Sequence, residues 1–82
     1  MFTVYVLYSD QYNKIYIGYT SDLVERLKSH NELGVKGWTI KFRPWRVIYK
    51  EEWENKSDAM RREKELKSAA GRRQIRLILE KR

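Results

Sequence analysis

A chain of 82 residues with no cysteine and one histidine has room for a single domain, residues 1–82, and nothing with which to build a disulfide or an ordinary zinc site. Any metal it uses is expected to be a hard cation held by carboxylate and water. Eighteen Lys and Arg against eleven Asp and Glu give a net charge of +7, and no apolar run approaches the ~18 residues of a membrane span, so polyanions are favoured over membranes as partners.

The opening Met1-Phe2-Thr3 leads straight into alternating residues, with no basic segment before an apolar one. No secretory leader is therefore expected, and the cytoplasm is the expected location. The basic excess is uneven. Arg61 to Arg82 holds nine basic and three acidic residues, a local +6. Such a field either draws nucleic acid or serves as a solvated face that keeps a small protein dispersed.

Phe2–Ser9, rich in β-branched and aromatic residues, predicts a strand. Asp10–Asn13 is a polar turn, and Lys14–Tyr19 a second strand. A four-residue loop sets Ser9 opposite Lys14, Leu7 opposite Tyr16 and Tyr5 opposite Gly18. Val4, Val6, Ile15 and Ile17 then share a core face. The other face carries Tyr5, Leu7, Tyr16 and Gly18, with space beside two phenols where Gly18 has no side chain. A single strand Tyr is ordinarily a core residue; the pair beside Gly18 is what makes these two candidates.

Thr20-Ser21-Asp22 predicts a helix start, with Ser21 as cap and the helix running to about Asn31. Leu23, Val24 and Leu27 form its apolar stripe. Asp22, Arg26 and His30 fall four apart on the neighbouring stripe, so Arg26 either pairs with Asp22 at the surface or leans over the tyrosine face. Glu32–Arg43 reads as a loop. Its Lys36, Trp38, Lys41 and Arg43 suit phosphate contacts and base stacking, although Trp38 can equally close over the core. Trp45–Glu51, after Pro44, predicts the third strand.

Ser57 predicts the cap of a second helix, Asp58 to about Ala70. Ala59, Glu63, Leu66 and Ala70 lie on one side of it, which puts the Glu63 carboxylate inside an apolar stripe. A carboxylate there must be paired or bind a cation. Lys67 is one partner and a metal the other. Gly71 is read as the helix stop, and Arg72–Arg82 as a third helix with Ile75, Ile78 and Leu79 inward. The whole is α+β: a small three-stranded antiparallel sheet flanked by helices, in the order β-β-α-β-α-α.

These residues resemble the GIY-YIG nuclease superfamily. Thr3-Val4-Tyr5 stands where its first tripeptide does, and Tyr16-Ile17-Gly18 matches the second. Leu23-x-x-Arg26-Leu27 follows where the family keeps its Arg, and Ala59-x-x-x-Glu63 where it keeps its metal-binding Glu. Phe42-Arg43-Pro44 and the run Arg62 to Lys67 echo small single-domain bacterial members similar to the catalytic domain of the excision-repair nuclease subunit. The resemblance implies phosphodiester hydrolysis with one Mg²⁺ or Mn²⁺ on Glu63. It makes Tyr5, Tyr16, Arg26 and Glu63 the catalytic set. His30 matches a His that some members use. Some members also carry an Asn on the last helix; here that stretch reads Arg73-Gln74-Ile75.

On that reading Arg26 takes a phosphate oxygen with its planar donors. Tyr5 is expected to be the general base, brought toward phenolate by Arg26 and metal, with Tyr16 orienting water or phosphate. His30 is the alternative proton relay. Arg61, Arg62, Lys67, Arg72 and Arg73 are expected to track the phosphate backbone. Phosphate contacts do not specify sequence, so the expected target is a DNA structure or single strand, DNA before RNA, with a protein partner as a further source of specificity. Repair or recombination is the expected setting. The alternative is a catalytically weak nucleic-acid-binding module on the same fold.

Overall fold

The computed structural model describes residues 1–33 and 37–81. The hairpin forms as its alternation predicts, from β1 (Phe2–Ser9) and β2 (Lys14–Thr20), with the expected pairing of Ser9 with Lys14, Leu7 with Tyr16 and Tyr5 with Gly18. Asn13 closes the turn in the left-handed region, φ 53°, and its side chain accepts a 2.9 Å hydrogen bond from Tyr8 Oη. The third strand, β3 (Arg46–Trp53), lies on the other side of β1, so the antiparallel order is β2-β1-β3. It outruns the expected end at Glu51 because Phe2 and Thr3 find partners in Trp53 and Glu52. It starts one residue late because the Trp45 N–H is taken by Asn31 Oδ1 at 2.6 Å.

The central strand is the most buried, and its alternation divides two cores. Val4 and Val6 pack with Ile17 against Ala59, Leu66 and Ile75. Tyr5 and Leu7 point the other way, against Trp45, with Tyr16, Leu23 and Leu27 around them. At about 1.5–3 kcal/mol per buried large side chain, these two clusters are the main stabilising force.

The first helix departs from its expected bounds. Asp22, not Ser21, caps α1 (Leu23–Lys28), its carboxylate accepting from Glu25 N at 3.2 Å. Thr20 Oγ1 holds the Asp22 N–H at 3.1 Å and so sets the cap in place. Val24, expected inward, is 72% exposed. After Lys28 the chain widens into a π-helical turn, Ser29–Leu33, and later a 3₁₀ turn, Trp38–Phe42.

The last two helices divide earlier than the glycine suggested. Helix α2 (Lys56–Lys67) follows Asn55 rather than Ser57, and α3 (Ala69–Glu80) begins just after Ser68. Ser68 serves both helices: its N–H donates to Glu65 O at 3.2 Å, and its Oγ accepts from Gly71 N at 3.2 Å. Ala70 is accordingly exposed and outside the α2 stripe. Gly71 is no helix stop. A β-carbon there would lie 2.4 Å from Glu65 O and 2.5 Å from Leu66 Cα, so glycine lets α3 cross directly over the end of α2.

Glu51 ties α2 to the sheet, accepting from Arg62 Nε at 2.6 Å, from Trp53 Nε1 at 3.0 Å and from Tyr49 Oη. Burial opposes its charge, but these donors hold the carboxyl below its ordinary value. Among the described residues no helix is long and apolar enough to cross a membrane.

Candidate active site

The outer strand β2 is where the two layers of the molecule meet. Tyr16 and Gly18 face the α1 side, and Ile17 faces the α2 side. A cleft of about 430 Å³ spans this edge and draws on four elements: Tyr5 from β1, Tyr16 and Gly18 from β2, Arg26 from α1, Lys56 and Glu63 from α2. Four of the five catalytic candidates therefore line one cavity, although they are scattered over 59 positions of the chain from Tyr5 to Glu63.

Gly18 is necessary to this arrangement, in a way its spacing alone did not indicate. The space it leaves is occupied by the Tyr5 phenol. A β-carbon on residue 18 would lie 2.8 Å from Tyr5 Oη and 3.1 Å from Tyr16 Cε1. The tyrosine rings are tilted on each other with centroids 6.2 Å apart.

The fifth candidate, His30, completes a chain of contacts behind Tyr5. Its Nε2 lies 3.1 Å from Tyr5 Oη, and its Nδ1 lies 3.2 Å from Thr39 Oγ1. Its ring also stands 4.7 Å from that of Tyr16, centroid to centroid. The π turn that carries His30 is held by side chains reading its backbone. Arg43 Nε donates to His30 O at 2.6 Å and its Nη2 to Ser29 O at 3.4 Å. Asn31 both accepts from Trp45 N and donates to Trp45 O, the latter at 2.9 Å. Trp45 Nε1 in turn donates to Thr39 O at 2.8 Å, which fixes the residue that meets His30.

The electrostatics of the pair run in opposite directions. Burial, with Arg26 and Arg43 adding to it, holds His30 below the ordinary 6.5, so the imidazole is neutral at pH 7. Burial also pushes the Tyr5 phenol well above its ordinary 10. Tyr16 and Glu63 act in the same direction and only Arg26 opposes them. Arg26 does draw Tyr5 toward phenolate as expected, but in the chain alone burial outweighs this one exposed guanidinium.

Glu63 is 19% exposed at its side chain and lies 3.3 Å from Lys67 Nζ through Oε1. Of the two partners its stripe position allowed, the lysine is therefore present. Among the described residues no group of three or more His, Cys, Asp and Glu is placed to hold a metal. Glu63 is the one carboxylate among the described residues that line the cleft, a hard oxygen donor of the kind Mg²⁺ or Mn²⁺ takes together with water. The chemistry of that donor set fits such a cation.

The expected nucleic-acid residues separate. Lys67 and Arg72 line a second recess, beside the first. So does Trp38, 47% exposed, with its ring 4.8 Å from Phe42 and 5.7 Å from Trp45. Lys41 and Arg73 are exposed but line neither cavity, and Arg61 is exposed and pairs with Asp58 at 3.0 Å. Arg43 and Arg62 are turned into the fold, toward the His30 turn and Glu51. Lys36 lies outside the described residues. Gln74, in the last-helix stretch where the resemblance looked for an Asn, is exposed and does not line the cleft.

Sequence reasoning missed Thr39, Asn31 and Lys56. Lys56 had a signal: it stands seven residues before Glu63, two turns along one helical face. Thr39 and Asn31 had none, since only the folded loop brings them to His30 and Trp45.

Comparison with known proteins agrees with this geometry. The family model described as the GIY-YIG catalytic domain matches residues 1–76. The chain is 36% identical over 67 residues to a UPF0213 protein of Staphylococcus aureus strain Mu3, covering 82% of each. It is 35% identical over 69 residues to a UPF0213 protein of Staphylococcus haemolyticus, covering 84% of each. No solved structure matches.

Proposed function

As the chain belongs to the GIY-YIG catalytic domain family, we propose that it is an endonuclease that hydrolyses phosphodiester bonds of nucleic acid, DNA before RNA, in the cleft at the β2 edge. The observation that carries this reading is the convergence of Tyr5, Tyr16, Arg26 and Glu63 on one cavity, with His30 bonded to Tyr5 behind it. A merely basic binding surface has no use for a buried phenol–imidazole pair.

Attack on a phosphodiester needs a deprotonated water, neutralised charge and a stabilised leaving oxygen. Tyr5 takes the proton of the attacking water as its own phenolic proton passes to His30 Nε2. The phenol then never has to exist as a free phenolate, which its buried setting disfavours. His30 is suited to receive that proton because it is neutral at pH 7. Thr39 Oγ1 accepts from Nδ1–H in that tautomer and so keeps Nε2 directed at Tyr5. The new oxygen–phosphorus bond forms as the bond to the leaving 3′ oxygen breaks, and that oxygen takes a proton from solvent. Arg26 holds a non-bridging oxygen, and Tyr16 orients water or phosphate. A divalent cation on Glu63 supplies charge neutralisation for the phosphate and the leaving oxygen. Lys67 Nζ, 3.3 Å from Glu63 Oε1, would give up this contact when Glu63 holds the cation.

The Glu63–Lys67 pair and the exposed Gln74 favour a second reading, a module that binds nucleic acid without cutting it. The test separates the two. Purified chain is incubated with single-stranded, duplex, flapped and branched DNA and with RNA, with Mg²⁺, Mn²⁺ or chelator. Metal-dependent cleavage of at least one substrate supports the endonuclease. Salt-sensitive binding with no cleavage under any condition supports the module.

A further inference from the structure

Beside the catalytic cleft lies a second recess of about 410 Å³, joined to it through Tyr16. Its lining includes Lys14, Lys67, Arg72 and Arg76 and no acidic residue. Neither Lys14 nor Arg76 stood out in the sequence. Lys14 opens the edge strand, and Arg76 is one more charge on a basic helix.

The recess has two unlike walls. On one, Lys14 Nζ lies 5.4 Å from the centroid of the Phe42 ring, and the Phe42 ring is tilted against Trp38 with centroids 4.8 Å apart. Trp38 is seated against Trp45, yet half of it faces solvent. A large aromatic ring so held is a platform. On the other wall, Arg72 and Arg76 stand four apart on α3, on one helical face. Lys67 lies at the junction, lining this recess while its Nζ reaches Glu63 in the next.

Cations on both walls beside a fixed aromatic face match a polyanion that also presents flat, accessible rings. Single-stranded nucleic acid has both features; a duplex hides its base faces. We propose that one unpaired strand lies in this recess, with phosphates on Lys14, Arg72 and Arg76 and a base on Trp38, and passes Tyr16 into the cleft. The strand, rather than any base sequence, is what the site selects. This inference rests on the endonuclease reading only for the identity of the polyanion as nucleic acid.

The test is fluorescence polarisation with labelled oligothymidylate and a duplex of equal length, in chelator, over a range of salt. The strand binds more tightly than the duplex. Lys14→Gln with Arg76→Gln lowers the slope of log affinity against log salt by about 1.4, at ~0.7 per phosphate contact. Trp38→Ala weakens strand binding roughly five-fold to a hundred-fold and Trp38→Phe restores most of it. Lys50→Gln, an exposed charge on β3 away from the recess, leaves the slope unchanged. Tighter binding of duplex, an unchanged slope in the double variant, or full affinity in a folded Trp38→Ala chain overturns the proposal. Cleavage is scored separately. Strand binding as described without cutting overturns the endonuclease and keeps the recess; cutting with an unaltered double variant overturns the recess alone.

Discussion

Tyr5 Oη lies 3.1 Å from Nε2 of His30, and the pair is buried under the edge of the cleft. The two residues are 25 positions apart, and neither would be notable without the other. On the proposed mechanism the two together would give the site a proton acceptor that does not depend on ionising a desolvated phenol.

The pair predicts a pH profile. His30 is held below its ordinary 6.5 because burial and two nearby arginines disfavour its charged form. The acid limb of cleavage should therefore lie below the 6.5 of an ordinary imidazole, where His30 gains a proton. Stability should follow the same sign. The contribution of neutral His30 is complete above the unfolded value of 6.5 and is lost as pH drops toward the lower folded value. His30→Gln should reduce single-turnover cleavage by roughly 10²-fold, within the range of acid–base catalysis, and remove the acid limb. An unchanged profile would rule out His30 as the relay.

Thr39 positions that ring without touching substrate. Thr39→Val should lower kcat about 3- to 30-fold with little change in KM, as expected when a neutral hydrogen bond to a catalytic group is lost. It should also shift the acid limb, and Thr39→Ser should restore both. Equal losses in Thr39→Val and Thr39→Ser would mean a packing role only.

Gly18 predicts a loss of activity larger than its loss of stability. A methyl group 2.8 Å from Tyr5 Oη must displace the phenol from its present place between the cleft and His30. Displacement of about 1 Å in a catalytic group can cost ~10²-fold in rate. Gly18→Ala should lose that much cleavage while circular dichroism stays native-like.

Gly71 predicts the opposite balance. Its absent β-carbon would meet backbone atoms of Glu65 and Leu66 at 2.4–2.5 Å. Gly71→Ala should cost ~1–3 kcal/mol of overpacking, read as a fall in Tm of about 4–8 °C per kcal/mol. Arg62→Met should likewise destabilise the fold, by ~1.5–3 kcal/mol for the lost charged hydrogen bond to Glu51, and leave the salt dependence of nucleic-acid binding unaltered. A reduced salt slope in Arg62→Met would mean that it also contacts phosphate.

The hairpin was legible because a period of two and a four-residue loop admit one register, and that register is the one found. The order of elements and the inward Ile75 followed from equally local signals. Gly71 misled because glycine after a helical run has two meanings, a stop or a close crossing. Only the crossing of α3 over α2 decides between them. The role of Gly18 was half visible: the missing side chain marked the site, but not that Tyr5 itself lies across it. Arg43 and Arg62 read as phosphate-facing from their charge, and in the fold both reach inward. Composition cannot separate a solvated cation from one that holds a turn or a strand. The Thr39–His30 contact spans a loop and has no sequence period, so nothing short of the folded chain reveals it.

On the proposed reading the cleft at β2 cuts phosphodiester bonds with Glu63 as its metal-binding carboxylate. The most direct measurement compares single-turnover cleavage by wild type and Glu63→Gln, matched for fold by circular dichroism, on the best substrate with Mn²⁺ and with chelator. The account predicts cleavage by wild type with metal, none with chelator, and none by Glu63→Gln, which keeps the shape of the side chain but not its charge. Cleavage by Glu63→Gln at the wild-type rate would contradict it and move the chemistry away from this cleft.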